Sequence, residues 1–406
     1  VQQMSPDPRK LGLFLVGARG AIATTVLHGL EALRSGVSPI GMVTAIPDFD
    51  AVPFAPTTSF RVRGWDIAGD CHQTASELVR TGVLSSDMAD LCANLRDRLE
   101  MSIAPGIAEA KDSDIVPPEV RDRLAMTHSQ RVSVLREDIR AWMAEEPFAE
   151  AVVVYLATAE RTSDVPEEWQ NPEADPFELL EQSPGDLSPS ILYGLAAVAE
   201  GLPFVNFTPA PGPQVTALAE YAKRQGVPVL GNDGKTGETL LKTVLAPMFR
   251  DRGLNVMAWE GYNMLGNRDG AALADPERRE GKLKNKDNVL GSILGPGQRH
   301  TGVSIDFVPS LHDWKTAWDF IHFEGFLGTQ MSLQFTWQGC DSALAAPLVL
   351  DLARIALLAK SRGEGGPLGA ASPFFKAPLG TRVHDFHRQM DTFRRWVSDS
   401  ERHPQG

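Results

Sequence analysis

Gly231-Asn232-Asp233-Gly234-Lys235-Thr236-Gly237-Glu238-Thr239 follows a short apolar run at 228–230 and precedes an apolar helical pattern at 239–249. A Gly-rich turn between strand and helix leaves backbone N–H groups unpaired at the helix start, which suits an anion. It also places Asp233 and Lys235 at the rim where strands end and ligands bind in α/β sheets. Alone, the stretch reads more readily as a helix entry with Gly for tight turns and a Thr cap. The lysines favour the ligand reading. Eight of the eleven lysines, at 235, 242, 282, 284, 286, 315, 360 and 376, lie from Lys235 onward, while Arg supplies most other positive charge. Lys is the compact cation whose pKa falls on burial, so it suits proton transfer and oxyanion stabilisation.

Working back from that stretch, strand-like runs alternate with helices. Residues 11–16 read as a buried parallel strand. They feed Gly17-Ala18-Arg19-Gly20-Ala21 and a helix to about residue 33, which fits a dinucleotide-binding start or a plain strand–helix turn. Arg19 stands where the second Gly of the usual pattern falls, and could meet a cofactor phosphate or solvent. Residues 40–46 read as a second strand. Asp66, in Gly64-Trp65-Asp66-Ile67, is a candidate acceptor for a ribose hydroxyl. Residues 71–99 and 131–143 have helical periodicity, and 151–156 reads as a central strand with Glu160-Arg161 at its end. Residues 162–189 read as an acidic surface loop. A helix to 200, a strand at 204–206, a helix at 214–225 and a strand at 227–230 complete a doubly wound, mainly parallel α/β sheet.

Beyond Thr239 the pattern changes to α+β. Residues 255–262 read as a strand, and 301–307 and 331–336 as antiparallel strands. Residues 314–323 read as a helix carrying Lys315, and 342–360 as another helix. A flexible loop at 363–369 and an amphipathic helix at 382–398 follow, with His384 and His387 on an exposed face. The expected division is a disordered tail at 1–10, a nucleotide-binding domain at 11–235, a catalytic domain at 236–377 and a returning segment at 378–406.

A net charge of −13 over 406 residues argues against nonspecific nucleic-acid binding and for a local cationic pocket taking a phosphorylated small molecule. Cys71, Cys92 and Cys340 are scattered, with neither disulfide nor metal spacing, so a reducing cytoplasm and no metal are expected. No signal peptide or apolar run of membrane length is expected.

Five motifs in order resemble the myo-inositol-1-phosphate synthase family, also called inositol-3-phosphate synthase. They are Gly64-Trp65-Asp66-Ile67, Asp233-Gly234-Lys235-Thr236-Gly237, Leu265-Gly266-Asn267-Arg268-Asp269-Gly270, Asp341-Ser342 with Leu344-Ala345-Ala346-Pro347, and Phe375-Lys376-Ala377-Pro378-Leu379. The resemblance covers about residues 13–379. It implies a Rossmann-type NAD domain interrupted by an α+β catalytic and tetramerisation domain, and a homotetramer. It also implies an isomerase of the intramolecular lyase type, using NAD without net redox. In that reaction C5 of glucose 6-phosphate is oxidised, a proton leaves C6, C6 attacks C1, and C5 is reduced again. Carried over residue by residue, Lys282 and Lys286 would serve the C5 oxygen and phosphate region. Lys315 would bind phosphate or aid enolisation, Lys376 would stabilise the C1 oxygen, and Asp233 would position a lysine near the nicotinamide. Lys235, Thr236, Gly237 and Asn267 match substrate positions. Gly17, Arg19, Gly20, Thr25, Asp66, Thr158, Asp233, Asp269 and Asp341 match cofactor positions.

Two departures lie at the active-site rim. Phe207 stands where relatives have Gly, which holds a ligand away from the backbone, and Glu238 stands where relatives have Gln. A carboxylate there repels phosphate unless it is paired or turned away. These changes leave open a cyclase acting on another hexose phosphate, such as fructose 6-phosphate giving a five-membered cyclitol phosphate in a carbocyclic nucleoside pathway. A plain sugar-phosphate dehydrogenase and a non-catalytic NAD-binding protein are the remaining readings.

Overall fold

The protein is described by a computed structural model at residues 9–109, 112–114, 116–157, 160, 165–183, 185–266, 289–295 and 299–399. Seven strands form one sheet: β1 (Lys10–Val16), β2 (Phe60–Asp66), β3 (Ile103–Pro105), β4 (Phe148–Tyr155), β5 (Phe204–Asn206), β6 (Pro228–Leu230) and, from far along the chain, β11 (Gly366–Pro367). Their order is β11-β6-β5-β4-β1-β2-β3, and every pairing is parallel.

The strand sequences are apolar on both faces because both faces are covered. Leu13, Leu15, Val152, Val154 and Val205 pack on one side with residues of helices Ala21–Arg34 and Asp341–Ser361. Phe14, Val16, Val153, Tyr155 and Phe204 pack on the other with residues of helices His128–Glu145 and Pro189–Ala199. This is a doubly wound Rossmann-type α/β sheet. The chain order reverses between β1 and β4, so the carboxyl ends at Val16 and Tyr155 flank the crevice such sheets use for ligands.

The second sheet, ordered β10-β9-β7-β8, holds β7 (Asn255–Leu265), β8 (His300–Phe307), β9 (Trp314–Glu324) and β10 (Gln330–Cys340). Here the structure corrects the sequence reading. Residues 314–323 form strand β9, hydrogen-bonded between β7 and β10, not a helix. β8 runs parallel to β7, although antiparallel pairing was expected for it. The outer face of β9 carries stacked Trp318, Phe320 and His322 rings, with Trp318 40% exposed.

Other expectations also shift. Residues 40–46 form no strand. Ile40 is exposed, and Val43–Ala45 is a 3-10 turn whose Val43 and Thr44 N–H groups donate to Asp351 (2.7 and 2.9 Å). The expected loop at 162–189 contains helix Pro176–Gln182 and buries Trp169 completely. Residues 71–99 divide among helices Cys71–Arg80, Ser86–Leu91 and Ala93–Ser102. Within the expected loop at 363–369, β11 pairs with β6. Helix Asp341–Ser361 is long and apolar enough to span a bilayer, contrary to expectation, but its Val349, Leu352, Ile355 and Ala356 lie in the core. With that helix the chain rejoins the first sheet at Asp341, ahead of the boundary expected at 378. The last helix starts at Phe386, so only His387 of the two histidines lies on it, and His384 is half-buried before it.

Candidate active site

The loop after β6 is held by backbone pairing on two sides. Asp233 N–H donates to Thr208 O (2.9 Å) and Gly234 N–H to Phe207 O (3.0 Å). On the other side Lys235 N–H donates to Phe374 O (2.8 Å), Lys376 N–H to Asp233 O (2.7 Å) and Asn232 N–H to Ala377 O (2.7 Å). Asp233 has φ +61°, a left-handed conformation that Asp tolerates better than most residues. These bonds set the Asp233 carboxylate 2.7 Å from the Lys376 ammonium. Two motifs far apart in sequence thus make one ion pair.

A second pair forms nearby. Lys315, near the start of β9, contacts Asp341 at the first turn of helix Asp341–Ser361 and Thr236 Oγ1 (3.1 Å). The Thr236 hydroxyl in turn donates to Asp341 Oδ1 (3.3 Å). Asp313 locks the two element starts together. Its buried carboxylate accepts from the Ser342 N–H (3.0 Å), the Ser342 hydroxyl (2.5 Å) and the Cys340 thiol (2.9 Å). Burial pushes the Asp313 carboxyl above its ordinary pKa, against the pull of these donors.

Both pairs face a cleft of about 590 Å³ that runs from Gly17, Gly20 and Asp66 to Thr236, Lys315, Asp341 and Lys376. At its nucleotide-like end Gly17 has φ +87°, and Gly20 caps helix Ala21–Arg34 without a side-chain cap. Asp66 closes β2. Its carboxylate accepts from the backbone N–H of Arg19 (2.7 Å), Ile67 (2.8 Å) and Ala68 (3.3 Å), while burial raises its pKa. The one glycine of β2 is dictated by packing: a Cβ at Gly64 would stand 2.1 Å from Leu15 O.

Several expected site residues are placed elsewhere. The Arg19 guanidinium is bound to Glu100 (Nε 2.7 Å, Nη2 2.6 Å) and does not line the cleft. The Thr25 hydroxyl is spent on Ala21 O (2.8 Å) within its own helix. Lys235 turns away from the cleft, and its amine donates to Gln389 Oε1 (2.7 Å), 5.8 Å from the Phe386 ring centroid. Burial without a carboxylate partner pushes the Lys235 amine down to about 7. Thr158, Asn267, Asp269, Lys282 and Lys286 lie outside the described residues.

The two rim departures have structural answers. The Phe207 ring lies against Gly234, where a Cβ would meet Cζ at 2.1 Å, so the ring occupies space at the cleft wall. Glu238 is not a loose negative charge. It pairs with Lys242 one helical turn on (2.6 Å), and both side chains are almost fully buried.

Glu160, absent from the expected site, also lines the cleft. Its carboxylate accepts from the Tyr155 hydroxyl (2.6 Å), the Ser190 N–H (2.9 Å) and the Ser188 hydroxyl. Burial raises its pKa. The sequence signal for it was position alone, at the end of the central strand. Trp337, His312 and Asn263 line the cleft as well, and no motif announced them.

The family model described as myo-inositol-1-phosphate synthase matches residues 237–342. The chain is 33% identical over 421 residues to inositol-3-phosphate synthase 1 of Bacteroides thetaiotaomicron, covering 97% of this chain and 95% of that one. It is 29% identical over 400 residues to inositol-3-phosphate synthase isozyme 1 of Arabidopsis thaliana, covering 88% and 76%. The crystal structure of inositol-3-phosphate synthase from Caenorhabditis elegans superposes with a TM-score of 0.82 at 26% identity, covering 97% of this chain and 86% of that one. A myo-inositol-1-phosphate synthase-related protein from Thermotoga maritima shares the fold, with a TM-score of 0.77 at 22% identity, covering 96% and 99%. The fold, the motif pairs brought together at one cleft and these full-length likenesses place the chain in the inositol-3-phosphate synthase family.

Proposed function

We propose that this enzyme cyclises glucose 6-phosphate to an inositol phosphate, with NAD as a cofactor that is regenerated each turnover. The observation carrying this reading is the pair of lysine–carboxylate contacts, Lys376–Asp233 and Lys315–Asp341, on one cleft whose far end has dinucleotide-type geometry. The chain's residues fit the cofactor. The Gly17–Gly20 turn leaves backbone N–H groups at a helix start for a pyrophosphate. Asp66 has three backbone donors and a carboxylate has about four acceptor sites, so one remains for a ribose hydroxyl. When bound, NAD supplies the oxidation at C5 and the later return of hydrogen there.

The remaining work falls to side chains. Lys376, held by Asp233, brings a donor-only ammonium to stabilise negative charge on the C1 oxygen as the C6 carbon attacks. Lys315, held by Asp341 and Thr236, serves the phosphate or the enolate. Lys282 and Lys286 are assigned to the C5 oxygen and phosphate from the family resemblance alone. The closed Glu238–Lys242 pair removes the charge conflict that a free carboxylate would create beside a phosphate.

A second reading, cyclisation of fructose 6-phosphate, is favoured by the Phe207 ring, which narrows the cleft beside Gly234. Phosphorus NMR with catalytic NAD separates the two. An inositol phosphate resonance from glucose 6-phosphate, and none from fructose 6-phosphate, is the expected result. Product from fructose 6-phosphate alone would transfer the same side-chain roles to a different cyclitol. Stoichiometric NADH with no cyclic product would overturn both readings.

A further inference from the structure

Gly237 sits where three elements meet: the start of helix Glu238–Asp251, Lys315 on β9 and Trp337 on β10. A Cβ at Gly237 would stand 2.9 Å from Lys315 Cε, 3.0 Å from Lys315 Nζ and 3.7 Å from Trp337 Nε1. The space that glycine leaves open is therefore within reach of two donors on adjacent strands. β9 and β10 are in antiparallel register with Trp337 opposite Ala317 and Gly339 opposite Lys315, which fixes that convergence.

The Trp337 indole nitrogen is shielded from solvent and has no hydrogen-bond partner among the described residues. Leaving a buried donor unmade is costly, so structures usually satisfy it. Lys315, held by Asp341 and Thr236, is also a donor only, so two donors converge on the point beside Gly237. Helix Glu238–Asp251 adds its unpaired N–H groups, because Gly237 provides no side-chain cap. Of the carboxylates near this helix start, Asp341 is engaged by Lys315 and Thr236, and Glu238 is engaged by Lys242 and lies against Gly261 on β7, where a Cβ would stand 2.4 Å from its Oε1. What such a point takes is an anionic oxygen carrying several lone pairs.

We propose that Trp337 is a specificity-determining residue, donating its indole N–H to an oxygen of the substrate's phosphate at the point Gly237 leaves open. The proposal rests on the sugar-phosphate reading above and deepens it. It adds a neutral donor to the charge supplied by Lys315. A neutral, directional donor favours a fixed tetrahedral phosphate oxygen over any anion that merely fits the charge.

The test is Trp337→Phe, which keeps an aromatic ring and removes the donor. The expected result is a KM for glucose 6-phosphate raised about 10- to 100-fold, with kcat and the KM for NAD within about threefold of wild type. Binding of glucose 6-phosphate and of inorganic phosphate, measured calorimetrically without turnover, should weaken to a similar degree. Binding of unphosphorylated glucose should not change. Gly237→Ala, which fills the open point, should weaken phosphate binding with the Trp337 donor intact. Equal phosphate affinity in wild type and Trp337→Phe, with an unchanged melting temperature, would overturn the assignment. If phosphate binding weakens in the variant but the wild-type enzyme forms no cyclic product, the cyclase reading fails while the Trp337 assignment stands.

Discussion

Lys376→Met should lower kcat by roughly 10²–10³-fold, the usual loss when one donor to a developing oxyanion is removed. The variant also damages the fold, and the two effects need separating. Asp233 is 5% exposed, and its carboxylate faces Lys376 at 2.7 Å. Removing one member of such a buried pair leaves the other uncompensated, at about 3–5 kcal/mol. Lys376→Met alone should therefore melt earlier as well as turn over slowly. The double variant Asp233→Asn/Lys376→Met removes both charges and should recover most of the lost stability. Its activity should stay low, because the donor is still missing. Melting curves beside steady-state rates check this. A stable double variant with wild-type kcat would remove Lys376 from the chemistry.

Lys235→Met carries the largest expected gain in stability. The Lys235 amine is 2% exposed, with only Gln389 and the face of Phe386 for company, and burial lowers it from 10.5 to about 7. The sign follows from linkage. The folded pKa lies below the unfolded one, so between about pH 7 and pH 10 the unfolded chain holds more protons, and stability rises with pH in that window. Below about pH 7 the favourable term is lost, because the charged amine must be buried. The fall from 10.5 to about 7, at about 1.4 kcal/mol per pH unit, amounts to roughly 5 kcal/mol. Lys235→Met removes that burden at the cost of an unpaired Gln389 oxygen, about 1–3 kcal/mol. The variant should be more stable by about 2–4 kcal/mol near pH 6, with the advantage shrinking as pH rises to about 9.5. Denaturant unfolding at the two pH values measures it. An advantage that does not shrink with pH would contradict the buried-amine account. His384, whose pKa is lowered by burial and then by Lys235, titrates on the acid side of this window.

Strands β1, β4, β5 and β6 of the first sheet were legible in the sequence because they are buried on both faces and punctuated by Gly and Pro. The runs at 11–16, 151–156, 204–206 and 227–230 each lie on β1, β4, β5 or β6 to within a few residues. β9 was not legible, and its pattern explains why. Trp314, Ala317, Trp318 and Ile321 repeat as a helix face would. In the strand the inward residues are Ala317, Asp319 and Ile321, and a fully buried Asp breaks the apolar alternation. Asp319 is accommodated because the Trp259 indole N–H donates to it (2.8 Å) from β7, a contact between residues 60 apart.

Residues 40–46 were misread for a related reason. Their apolar content suggested a strand, but no sheet edge is offered to them. The Val43 and Thr44 N–H groups are satisfied by Asp351, whose carboxyl burial pushes up to about 6, and those of Met42, Ala45 and Ile46 by backbone carbonyls in local turns. At the site, Asp233, Thr236, Lys315, Asp341 and Lys376 lie on one cleft, and all but Lys315 stand in the motifs read from the sequence. The direction of Lys235 and the engagement of Arg19 by Glu100 depend on packing that no local spacing encodes. Trp337 was invisible for the same reason, and Glu160 was marked only by its position at the end of the central strand, since each acquires its significance from what surrounds it in space.

The central claim is that oxidation, ring closure and re-reduction occur in one cleft without loss of the transferred hydrogen. Glucose 6-phosphate deuterated at C5, incubated with the enzyme and substoichiometric unlabelled NAD, tests it most directly. The account predicts an inositol phosphate that keeps its deuterium at a single ring carbon, with no reduced cofactor accumulating. Deuterated NADH growing in step with substrate consumption, and no labelled cyclic product, would contradict it.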